Sequence, residues 1–81
     1  MIKHPLSTEK AIRLMEAENK MVFIVDSRAT KPEIRTEIEK LFEVKVLAVR
    51  TLNDTKGRKK AIVTFSPETP AIDIASRLGL M

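Results

Sequence analysis

The chain contains no cysteine, no tryptophan and no tyrosine. Without cysteine, disulfides and thiolate metal sites are excluded, and a reducing compartment is permitted. Glycine occurs only at Gly57 and Gly79, so no glycine-rich loop can cradle a nucleotide's phosphates. His4 is the single histidine and stands beside Pro5, with no cysteine or tyrosine anywhere to act with it. As a catalyst it needs a nucleophile and an orienting group, and neither can be assigned. No metal-ligand spacing appears. These absences argue against an enzyme, a cofactor, a metal site or a small-molecule substrate. The longest apolar run, MVFIV, is far short of the roughly 18 residues that a membrane helix needs, so no membrane insertion is expected. The opening MIKHPLSTEK has no apolar stretch after its basic residues and does not read as a secretory signal.

What remains is a short, basic, globular chain. Eighty-one residues make a single domain, 1–81, and 43% hydrophobic residues suffice for a core. A chain of this size buries only roughly 60–65% of the surface its unfolded form exposes, which makes for modest stability. Fifteen Lys and Arg against eleven Asp and Glu give a net charge of +4. That balance favours an acidic partner, nucleic acid first and an anionic membrane a distant second.

The pattern predicts the order β-α-β-α-β-β-α. MIKHP is a short edge strand closed by Pro5. Ser7 or Thr8 caps a first helix with Ala11, Leu14 and Met15 on one stripe. KMVFIVD reads as a buried strand from its β-branched and aromatic content. Thr30 and Glu33 form a capping box with Pro32 in the first turn, and Ile34, Ile38 and Leu41 share a face. VKVLAVRTL and KAIVTF are strands joined by a turn around Gly57. A last helix has Thr69 as cap, Pro70 at its first position and Gly79 as its stop. The expected fold is α+β: a four-stranded, mostly antiparallel sheet with helices packed on it.

The densest charge lies in TLNDTKGRKKAIVTF, where Lys56, Arg58, Lys59 and Lys60 run into an alternating strand. A turn needs polar residues, but Asn53, Asp54 and Gly57 already supply them. The extra cations either contact phosphates or keep a sheet edge from pairing with another chain. KGRKKAIVTF is loosely similar to the ribonucleoprotein motif of RNA-recognition domains. That motif requires exposed aromatics for base stacking, and here its aromatic positions hold Arg58 and Lys60, so that family is rejected.

HPLSTEKA, ATKPEIRTEIEKLFEVKV, VRTL, KKAIVTF and IASRLGLM occur in this order along essentially the whole chain. Together they resemble the ribosomal protein L-twenty-three family, large-subunit proteins beside the polypeptide exit tunnel. NDTKGRK is too short for the long tunnel-reaching loop of bacterial members, and with the short ends this resembles the archaeal type. Where the family usually has an asparagine after the valine, this chain has Arg50. The resemblance implies a structural, cytoplasmic component of the large ribosomal subunit, with large-subunit rRNA and neighbouring ribosomal proteins as partners. The implied rRNA-binding residues are Lys3, His4, Lys10, Lys31, Arg50, Lys56, Arg58, Lys59 and Lys60. It also implies docking of the signal recognition particle and other exit-site factors through Glu9, Phe42 and Glu43. Each of the three has a local alternative: Glu9 favours a helix start, Phe42 extends the core stripe, and Glu43 closes a helix. The other reading of the α+β pattern is a small ferredoxin-like interaction or regulatory module without RNA.

Overall fold

The protein was analysed as a computed structural model, which describes residues 2–6, 8–53 and 57–77. Its elements run β1 (Ile2–Pro5), α1 (Glu9–Glu18), β2 (Lys20–Val25), α2 (Lys31–Phe42), β3 (Val46–Asn53), β4 (Lys59–Phe65) and α3 (Ala71–Arg77). Three helices and an antiparallel sheet give the α+β class expected from the sequence.

Thr8 caps α1, its hydroxyl accepting from the Ala11 N–H at 3.2 Å; Ser7, the other expected cap, lies outside the described residues. Ala11 and Met15, one turn apart, are the buried residues of this helix. It ends where Asn19 turns left-handed at φ 57°. In α2 the capping box forms as expected: Thr30 accepts from the Glu33 N–H while the Glu33 carboxylate accepts from the Thr30 N–H. Its buried stripe is Ile34, Ile38 and Phe42, whereas Leu41, expected in the core, is 62% exposed. Positions 41 and 42 compete for the core side of the last turn. Phe42 takes it because its ring packs on Phe23, with centroids 6.4 Å apart.

β2, β4 and β3 form a continuous antiparallel ladder, and the four-residue β1 joins the free side of β2 with a break in register. Five successive residues of β2, Met21 to Val25, are buried, as a central strand covered on both faces requires. On one face Phe23, Val25, Val63 and Phe65 meet Ile34 and Ile38 of α2 and Ile74 of α3 in the main core. Between Val46 and Ala48 the pairing with β4 slips by one residue. This bulge keeps Val46 opposite Phe65 and brings Val49 opposite Val63, both toward the core. It thereby turns Ala48, Arg50 and Leu52 to the opposite face, beside Thr64, Ile62 and Lys60.

The start of α3 departs from expectation. Its first N–H, that of Ala71, donates to Asn19 Oδ1 at 2.6 Å, so the cap comes from a residue 52 positions away. The same amide donates through Nδ2 to the carbonyls of Phe65, Ser66 and Thr69 at 3.1–3.2 Å. Thr69, the expected cap, is thus held by its backbone, and Pro70 precedes the first helical residue. Gly79, the expected stop, lies outside the described residues. Arg77 Nη1 donates to the Phe42 carbonyl at 3.2 Å, which ties α3 to the end of α2.

Candidate nucleic-acid interface

The face of the sheet turned away from α2 collects cations. Antiparallel partners share a face, so Arg50 opposite Ile62 and Lys60 opposite Leu52 stand as diagonal neighbours, roughly 7–8 Å apart. Lys20, opposite Thr64, extends the row and is paired with Glu18 at 3.2 Å. Lys10 reaches the same side from α1, where it lines a cleft with Lys60. No Asp or Glu occupies any position of β2, β3 or β4 on this face. Such a surface suits a chain that carries a phosphate at every residue.

At the hairpin end, Arg58 and Lys59 are half-buried beside Gly57, whose φ of +78° is one that L side chains rarely adopt. Together with Arg28 they line a polar groove between the β2–α2 loop and the start of β4. Lys59 Nζ donates to the Ala29 carbonyl at 2.6 Å, so this cation serves the fold as well as any partner. Sequence reading missed Arg28, because only the pairing of Val25 with Lys59 brings that loop to the hairpin. Lys56 lies outside the described residues. Lys3 and His4 are in β1, with the His4 backbone opposite Ile24; their side chains are outside the description. Lys31 does not join the basic face. It opens α2 and lines a separate groove with Arg35 and Val49, on the helix-covered side of the sheet.

The three residues implied for docking sit in different settings. Glu9 is exposed in the first turn of α1 and pairs with Arg13 at 3.2 Å. Phe42 is only 8% exposed and belongs to the core, as its local alternative foresaw. Glu43 is exposed at the end of α2, in the left-handed conformation at φ 54°. Among the described residues no cluster of three or more His, Cys, Asp or Glu is placed to hold a metal, and no helix is long and apolar enough to cross a membrane.

The family model described as "Ribosomal protein L23" matches residues 1–74. The chain belongs to this family. It is 46% identical over 81 residues to the large ribosomal subunit protein uL23 of Tetrahymena thermophila. That alignment covers 100% of this chain and 54% of the relative, so the chain spans about half the length of the curated protein it matches. Membership gives the basic sheet face a context, since the relative is named as a large-subunit protein.

Proposed function

We propose that this chain is a structural constituent of the large ribosomal subunit, cytoplasmic within the ribosome, that binds large-subunit rRNA through the open face of its sheet. The observation that carries the reading is a face with Arg50, Lys60 and Lys10 on it and no acidic strand residue, in a member of a ribosomal family. Arg58 at the hairpin end adds to this footprint, and Lys56, Lys3 and His4 extend it along the sequence. Lys31 makes a separate contact from the helix side.

The exit-site role belongs to the acidic residues at the helix ends. Glu9 and Glu43 offer negative charge in a basic protein set in RNA, which suits a Lys- or Arg-bearing factor such as the signal recognition particle. Phe42 contributes by fixing the end of α2 from below, while Leu41 and Glu43 are the exposed side chains there.

Salt-dependent binding to large-subunit rRNA tests the first claim. Each phosphate contact contributes roughly 0.7–0.9 to the slope of log affinity against log salt. Arg50→Ala with Lys60→Ala is expected to flatten that slope by nearly two contacts and to reduce co-sedimentation with large subunits. An unchanged slope means that these cations make no phosphate contact.

A further inference from the structure

Between α1 and the open face lies a cleft of about 160 Å³ that the charge argument leaves unexplained. Its floor is apolar and buried, made by Ala11 of α1 and Val22 of β2. Leu14, Ile62 and Leu52 form the walls, and Leu52 remains 39% exposed. Lys10 and Lys60 stand at the rim, together with Thr8. Sites for small molecules usually measure about 300–1,000 Å³, so this cleft admits one flat ring and little more.

Resting on the rRNA-binding reading, we infer that the cleft receives a single unpaired rRNA base turned out of its stack. The faces of a base are apolar enough to lie between aliphatic side chains, and its strand carries a phosphate on either side of the ribose. An aliphatic slot with an ammonium group at its rim matches that pairing of ring and charge. Lysine stems can lie along the apolar wall while their heads reach the phosphates. Thr8 Oγ1 already accepts from the Ala11 N–H, and its hydroxyl hydrogen can donate to an acceptor on the base edge. The cleft also adjoins the cationic strands: Leu52 and Lys60 are paired, and Arg50 lies across from Ile62. One strand of RNA can therefore cross Arg50 and Lys60 while placing one base in the slot.

The experiment measures binding of the full chain to full-length large-subunit rRNA across a salt series, beside melting temperatures. Leu14→Ala with Leu52→Ala removes both movable walls and no charge. The expected result is an affinity lower by about five-fold at every salt concentration with the slope unchanged, the low end of the range for a lost aromatic platform because these walls are aliphatic. Leu52→Met is expected to restore wild-type binding. Chemical probing should show one unpaired base protected by the wild-type protein and reactive with the double variant. If the double variant does not fold, Leu52→Gln, at an exposed wall, makes the same comparison. Wild-type affinity in a folded leucine variant, or the lack of a protected unpaired base, overturns the inference; the cleft then takes a protein side chain or nothing. Its failure is distinct from failure of the ribosomal reading, in which the wild-type chain itself shows no salt-dependent rRNA binding.

Discussion

Two residues other than glycine hold a positive φ among those described, Asn19 and Glu43, and their circumstances are opposite. Asn19 tolerates the left-handed conformation well, and its side chain joins the end of α1 to the β4–α3 connection through Phe65, Ser66, Thr69 and Ala71. Asn19→Ala loses these bonds and adds backbone strain, so it is expected to destabilise by about 3 kcal/mol. Asn19→Gly, which keeps the backbone relaxed, should cost about 2 kcal/mol, and denaturant titration of the pair separates the two effects. Glu43 has neither advantage: its side chain is a poor match for φ 54°, and its charge adds to the negative end of the α2 dipole. Glu43→Gly should therefore raise stability by about 0.5–1 kcal/mol, the relief of strain outweighing the flexibility of glycine. If Glu43 serves docking, the same variant lowers affinity for exit-site factors while melting later. Undiminished docking by ribosomes carrying it removes Glu43 from that surface.

At the scale of elements, what could be read in advance was what short-range chemistry dictates. Thr30, Pro32 and Glu33 fix the start of α2 within four residues, and that start was legible. The bulge at Val46–Ala48 and the supply of a cap by Asn19 depend on partners distant in sequence, and neither was legible; Phe42 was readable as an extension of the core stripe, but its ring contact with Phe23, which decides against Leu41, was not. β3 begins at Val46, two residues later than its apolar pattern suggests, although the Lys45 carbonyl still accepts from the Ser66 N–H one pair beyond Val46 and Phe65. On the candidate interface, the cations of β4 were visible in the sequence, but that Arg50 of β3 shares a face with Lys60 follows from the bulge. Two predictions belong here. The Thr30 hydroxyl and then its backbone N–H hold the Glu33 carboxyl below its ordinary value of 4.5. A lowered folded pKa means stability that is present above 4.5 and lost as pH falls through the lower folded value. A pH series of melting temperatures should therefore show α2 weakening in acid, with that component missing in Glu33→Gln. The neighbouring lysines of β4 should separate between this assay and rRNA binding at neutral pH. Lys59→Ala loses the bond to the Ala29 carbonyl and should destabilise by about 1 kcal/mol, since the ammonium is half-exposed. Lys60→Ala, on the open face, should reduce rRNA affinity more than Lys59→Ala does.

The whole molecule is a sheet with two unlike sides, α2 and α3 on one and α1 with the cations on the other, and its hairpin turn is short. Asn53 pairs with Lys59, leaving five residues between them. Fully extended, such a span covers at most roughly 18 Å, and about half that when it returns on itself. Cross-linking within assembled ribosomes should therefore join this turn to RNA near the globular body, not to a nascent chain deep in the tunnel. The strand order β1-β2-β4-β3 bears on how the protein is made. During synthesis the apolar strand Met21–Val25 emerges before the ladder partner that covers it, Lys59–Val63, which is about forty residues behind. The Asn19 bonds to Phe65, Ser66, Thr69 and Ala71 close later still. Until β4 emerges, then, the growing chain exposes an apolar, aggregation-prone strand with no native strand from β4 to cover it. Closure of the sheet waits for β4 and the Asn19 contacts, and until then the growing chain depends on shelter from outside itself.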